Sequence, residues 1–263
     1  MLRTIKLLLI YFAVQFAFAG FFTVGYMLVK GLKDVPSAED GTFVMLSITA
    51  QVVATLAMGC YLHFSGDARL DRKTLALGSW KISAVSALLI IGMGCWTNYI
   101  NEALELPNNL EQMFDVMMHN PLGIISIVIL APVIEEMFFR EGIQGHLQRT
   151  WKPVWAIIVS SLIFGLVHGN PVQIPFAFVT GLALGWVYYC TGSLWPSILM
   201  HFINNASSVL LYHLSENPGA TMRETLGESG ALVTAVAGAV ITIFSILLLK
   251  KLTNKICHET TES

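Results

Sequence analysis

Two adjacent carboxylates and a guanidinium stand inside an apolar run. Ala131–Arg140 reads APVIEEMFFR and closes a stretch that opens at Leu122 with LGIISIVIL. A charged side chain at a bilayer centre costs about 2.5–3.5 kcal/mol on insertion scales. Glu135, Glu136 and Arg140 must therefore face a bundle interior, pair, change protonation or line a wet cavity. Glu136 and Arg140 lie four apart on one helical face, which suits an ion pair. Glu135 sits about 100° further round the helix and is not neutralised by that pairing. The plainest account is structural glue, a buried ion pair plus one protonated glutamate. It leaves the second carboxylate without a purpose.

Two further polar clusters occur in apolar surroundings: Phe164-Gly-Leu-Val-His168, and His201-Phe-Ile-Asn204-Asn205. His201 and Asn205 are one turn apart, with Asn204 a near rival. His63, His119, His146, His213 and His258 fall near span ends or in tails and read as structural or solvated. Two histidines, an asparagine and two glutamates match what peptide hydrolysis needs: an activated water, a proton acceptor, and donors aimed at the developing oxyanion. Imidazoles with a carboxylate also form a zinc site, which lowers the pKa of bound water to about 7. Burial of a glutamate beside them would suit it to act as base. Spacing alone leaves a zinc-bound water and a metal-free water both open.

These residues need membrane helices to hold them. Of 263 residues 55% are hydrophobic and 12% charged, about half the charge of a soluble domain, and the mean hydropathy is +0.66. The net charge of −2 gives no reason to expect nucleic acid. Cys60, Cys95, Cys190 and Cys257 are scattered and imply no disulfide framework. Runs of spanning length predict eight helices: 5–29, 42–64, 82–100, 121–148, 153–168, 172–190, 194–214 and 231–249. The expected fold class is all-α, a polytopic membrane bundle of about eight transmembrane helices. It forms one integral-membrane domain over 1–263, with N-terminal spans (1–120), a motif-bearing core (121–214) and a last span (231–249).

The first span resembles a signal peptide at Ala17-Phe18-Ala19 but stays apolar to Val29, so an uncleaved helix is expected. With both termini cytoplasmic, eleven basic residues, Lys255 among them, lie inside and three, Lys30, Lys33 and Arg223, lie outside, in accord with the positive-inside rule. The acidic stretch 101–120 then faces outward. This predicts an integral plasma (inner) membrane protein with membrane lipids as neighbours. The basic stretch 69–81 is read as a topology signal, and the Gly181–Gly185 GxxxG as a packing face. Helix rise puts Glu136 about 18 Å, His168 about 22 Å and His201 about 10 Å from the cytoplasmic ends of their spans, which straddles mid-membrane.

EExxxR (Glu135 to Arg140), FxxxH (Phe164 to His168) and HxxxN (His201 to Asn205), in that order on successive helices, resemble the three motifs of the CPBP family. That family comprises CAAX-processing type II prenyl endopeptidases and bacteriocin-processing or self-immunity membrane proteins. The resemblance covers roughly residues 121–214. It implies an intramembrane endopeptidase acting on a peptide or membrane-tethered protein. Glu135 would be the water-activating base assisted by His168, with His201 and Asn205 at the oxyanion or metal side. Glu136 would be a supporting carboxylate, Arg140 would hold the glutamate pair, and Phe164 would support the site. Zinc on His168, His201 and Glu135 is the implied cofactor, beside a metal-free glutamate mechanism. A non-catalytic immunity or scaffold protein of the same fold, and a proton- or ion-coupled transporter, are the competing functions. No internal repeat favours the transporter.

Overall fold

The computed structural model describes residues 2–31, 40–217 and 220–259, with side chains described as far as Thr253. Lys33 and the side chains of Lys255, Cys257 and His258 lie outside the described residues. Among those described, helices and their connections account for everything, with no strand: α1 (Leu2–Lys30), α2 (Gly41–Ser65), α3 (Trp80–Ala103), α4 (Glu111–Met118), α5 (Pro121–Leu147), α6 (Pro153–Val167), α7 (Ile174–Thr191), α8 (Leu194–Leu214) and α9 (Met222–Glu259).

Local chemistry explains where these helices start. The Asp40 carboxylate caps α2 by accepting from Thr42 N at 2.7 Å and Phe43 N at 3.2 Å. Asn120 does the same for Leu122 N and Gly123 N, with Pro121 opening α5 in the first turn, where its missing N–H is harmless. Ser193 caps α8 straight after Gly192, whose φ of 63° turns the chain between α7 and α8.

All eight expected segments are helices. Six of them are long and apolar enough to cross a membrane. Of the other two, α6 has only 15 residues, and α8, with 21, is diluted by Ser197, His201, Asn204 and Asn205. The structure departs from the sequence reading in three places. Helix α4 forms inside the stretch 101–120 read as an acidic connection. The span 121–148 is not one regular helix, because wide turns interrupt it at Ser126–Leu130 and Met137–Gln144. In α9, Gly227 (φ 69°, ψ 165°) separates a short leading turn from the membrane part.

Two apolar cores flank the polar residues. One gathers Leu7, Met58, Leu62, Phe138, Phe139, Ile143 and Phe164 from α1, α2, α5 and α6. The other gathers Ile82, Leu89, Ile90, Leu184, Met200 and Leu249 from α3, α7, α8 and α9. Helices α6 and α7 approach closely through the expected GxxxG. A Cβ on Gly181 would stand 3.1 Å from Ser161 Cβ, and one on Gly185 would stand 2.5 Å from Gln144 Oε1. Outward faces carry large apolar side chains suited to lipid. Exposed Trp80, Trp155 and Trp195 lie near the starts of α3, α6 and α8. With successive spans alternating in direction, those three starts share one end of the bundle, where an aromatic belt belongs.

Helix α1 buries little, only Thr4, Leu7 and Tyr26, and is tied at both ends. Asp67 takes Arg3 at 2.8 Å, Lys6 at 2.9 Å and the Tyr61 hydroxyl at 2.6 Å. At the far end, Tyr26 and Lys30 reach Asp40 at 3.0 and 3.5 Å.

Candidate active site

The site is built on the irregular helix α5. Its two wide turns are π-helical, with main-chain bonds running from residue i to i−5, and they bracket Ala131–Glu136. Pro132 has no N–H to give. In the wide register the carbonyl it leaves unpaired is that of Ile127, and Asn205 Nδ2 on α8 donates to that oxygen at 2.9 Å. Ser160 on α6 similarly donates to the carbonyl of Phe139 in the second wide turn, at 2.8 Å. Neighbouring helices thus supply the bonds that let α5 present Glu135 and Glu136 in this register.

Glu136 and Arg140 are fully buried and paired through Arg140 Nε at 2.9 Å. The pair predicted from their spacing exists. The other oxygen of Glu136 faces His201 Nδ1 at 3.1 Å. The far nitrogen of that ring, Nε2, lies 3.9 Å from Glu135 Oε2. One imidazole therefore bridges the two carboxylates. Arg140 does not hold both glutamates as the family resemblance implied, because it touches Glu136 alone. Its Nη atoms are buried without a protein partner, and its guanidinium lies over the Phe164 ring at 5.1 Å. The same ring stands edge-on to His168 and His201, with centroids at 5.0 and 5.6 Å. Phe164 thus spaces the two imidazoles and covers the cation.

His168 caps the end of α6, with Nδ1 2.7 Å from the carbonyl of Phe164. A carbonyl can only accept, so Nδ1 carries a proton and Nε2 is the ring nitrogen left for the cavity. Asn204 Nδ2 donates to Asn205 Oδ1 at 3.1 Å and fixes that amide's orientation.

These groups surround a cavity of about 910 Å³ whose walls include Glu135, His168, His201, Asn204 and Asn205. Glu135 keeps 24% of its side chain exposed. Glu136 is absent from the cavity wall, so of the two glutamates only Glu135 faces the cavity. Glu136 acts from behind by fixing His201.

The implied zinc ligands do not come together as a set. Among the described residues no three His, Cys, Asp or Glu side chains form a group that could hold a metal ion. His168, His201 and Glu135 share the cavity wall without forming such a group; both imidazoles hold Nδ1 on Phe164 and Glu136 and leave Nε2 free, so the placement of the three groups, and not their chemistry, is what departs from a zinc site. The arrangement does not fit a three-ligand zinc site.

Two features escaped the sequence reading. Glu141 is buried and accepts from Arg69 N at 3.2 Å and from the Tyr188 hydroxyl, which pins α5 to the α2–α3 connection and to α7. Its position directly after Arg140, still inside the span, was the available signal. The other is the contribution of α1, α2 and the α4 region to the cavity, including Tyr11, Gln15, Gln51 and Phe114. Glutamines within otherwise apolar spans could have flagged it.

Residues 118–207 match the family model described as type II CAAX prenyl endopeptidase Rce1-like. By this match the segment is similar to an Rce1-like domain. It contains every residue of the three motifs and bears out the family resemblance. Over 103 residues the chain is 31% identical to the Bacillus subtilis protein named "Putative membrane peptidase YdiL", covering 39% of this chain and 42% of that protein. Over 127 residues it is 32% identical to the membrane-embedded CAAX protease MroQ of Staphylococcus aureus, covering 46% and 51% of the two chains. The matches thus span about half the length of these relatives or less. No solved structure matches the chain. Helices α1 to α3 and nearly all of α4 lie before the Rce1-like domain, and α9 lies after it.

Proposed function

We propose that this chain is an intramembrane endopeptidase that uses Glu135 to activate water against a peptide bond of a membrane-tethered substrate. The observation that carries this reading is the meeting of Glu135, His168 and His201 on one cavity, with His201 3.9 Å from Glu135.

The chemistry follows from the orientations. Water held between Glu135 and His168 Nε2 loses a proton to the carboxylate as its oxygen attacks the carbonyl carbon. Charge then develops on the carbonyl oxygen. His201, protonated at Nε2, and the Asn205 N–H not used by Ile127 are the donors for it. Glu136 accepts from Nδ1 of that ring and is itself held by Arg140. Glu135 hands its proton to the leaving amine, which restores the carboxylate. No step requires a metal. With both termini in the cytoplasm, the enzyme would act in the plasma (inner) membrane. The names of the family and of MroQ point to a C-terminal CAAX-type segment as the first substrate to try.

The test is turnover of an internally quenched peptide, with and without a farnesylated cysteine, by the purified full chain in detergent. Glu135→Gln and His168→Ala should each lose at least about a hundredfold in turnover while eluting and melting like the parent. Unchanged turnover in both variants would overturn the assignment.

A further inference from the structure

The cavity is built from two parts of the chain: the Rce1-like domain carries the reacting groups, and α1, α2 and the α4 region close the facing wall. That wall holds two amide side chains where apolar residues would be expected. Gln15 is the one amide of α1, and Gln51 lies near the middle of α2. The hydroxyls of α2 turn back onto their own helix, Ser47 to Phe43 O at 2.9 Å, Thr49 to Met45 O at 2.7 Å and Thr55 to Gln51 O at 2.8 Å. The Gln51 side chain makes no such bond and opens into the cavity. Gln15 lies within reach of the Tyr11 hydroxyl one turn away, and Tyr11 is close enough to Glu135 to feel its charge. The Tyr11 ring is seated on Phe138, with centroids 5.1 Å apart, so this part of α1 is held against the catalytic helix.

Gln15 and Gln51 line the same cavity as Glu135. An extended peptide presents backbone N–H and C=O groups on one edge at every second residue. A glutamine amide can donate to one such group and accept from another. A peptide entering the cavity gives up bulk water around those groups and must find partners for them, because leaving one unpaired is costly.

We infer that Gln15 and Gln51 bind the backbone of an extended peptide substrate and so set which bond lies against Glu135. This rests on the peptidase reading and adds the substrate form it accepts, an extended chain gripped by its main chain from α1 and α2. The role is positioning and specificity, separate from bond breaking.

The experiment uses the quenched peptide that the full-length parent cleaves, alongside versions N-methylated at one backbone amide at a time. Gln51→Leu and Gln15→Leu should each raise KM about three- to tenfold with kcat within about twofold, as expected for one lost hydrogen bond. N-methylation at one amide should raise the parent's KM by a similar factor. The same change should have no further effect in the variant lacking that amide's partner. The proposal is overturned if neither variant moves KM, if kcat falls instead, or if peptide and protein changes simply multiply in every pairing. The N-methylated series on the parent protein stands even where a glutamine variant does not fold. If it shows no sensitive amide, the proposal fails on that ground alone. A parent that cleaves no peptide would count against the peptidase reading, whereas the outcomes above count against the glutamines.

Discussion

Removing Arg140 probes how the site is held together. Its side chain is fully buried, its Nε is 2.9 Å from Glu136, and its Nη atoms have no protein partner. In Arg140→Met the Glu136 carboxylate stays buried with only the His201 ring beside it. Breaking a buried pair by deleting one partner costs about 3–5 kcal/mol. For a chain of this size that corresponds to a fall in melting temperature on the order of 10 °C. Deleting both charges is a different experiment, because no uncompensated ion remains. Replacing a buried pair by apolar groups of similar volume is often neutral or stabilising. Glu136→Leu with Arg140→Met should therefore recover most of the lost stability. It should not recover turnover, because His201 Nδ1 then has no carboxylate to orient it. The assay is thermal unfolding of the four proteins of the cycle in one detergent, read by tryptophan fluorescence, beside peptide cleavage. A double variant no more stable than Arg140→Met would refute the reasoning, as would a single variant that melts like the parent.

Three other outcomes are expected. Gly185→Ala should destabilise by about 1–3 kcal/mol, because the new methyl would stand 2.5 Å from Gln144 Oε1 on α5 and 3.2 Å from Ile157 Cγ2 on α6; a melting temperature equal to the parent's would show the packing of α7 on α5 and α6 to be slack. Burial pushes the Asp67 carboxyl up, but hydrogen bonds from Tyr61 and Lys6 and the charges of Arg3 and Lys6 outweigh it and hold the group below the usual carboxylate range. Its stabilisation is therefore complete above an unfolded pKa of about 3.9 and is lost as the pH falls through the lower folded value. The melting difference between the parent and Asp67→Asn should shrink on acidification from pH 6 to pH 3, and a gap that stays constant or widens contradicts the sign. Finally, a sample stripped of metal by 1,10-phenanthroline and shown metal-free by elemental analysis should keep its turnover; activity lost on stripping and restored by zinc would require the three cavity residues to close on an ion.

Helix existence and the Glu136–Arg140 pair were legible in the sequence because both follow from periodicity and spacing alone. The eight apolar runs each became a helix, and a four-residue separation put the charges together. Helix α4 was not legible, since eight residues with Glu111 and Asp115 exposed look like any acidic connection until Met117 and Met118 find a surface to bury against. The wide turns of α5 were equally hidden. They depend on Asn205 and Ser160 arriving from other helices to bond carbonyls that a regular helix would satisfy itself. The motif letters placed Asn205 at the site. Only the Ile127 contact shows that part of its amide is committed to holding α5 in shape.

The cavity's two walls come from separate stretches of chain, the reacting groups from within 118–207 and the opposing face largely from the first two helices. On the peptidase reading, a change in the first two helices would alter what the cavity accepts while leaving Glu135, His168 and His201 where they stand, so preference and reactivity could vary independently.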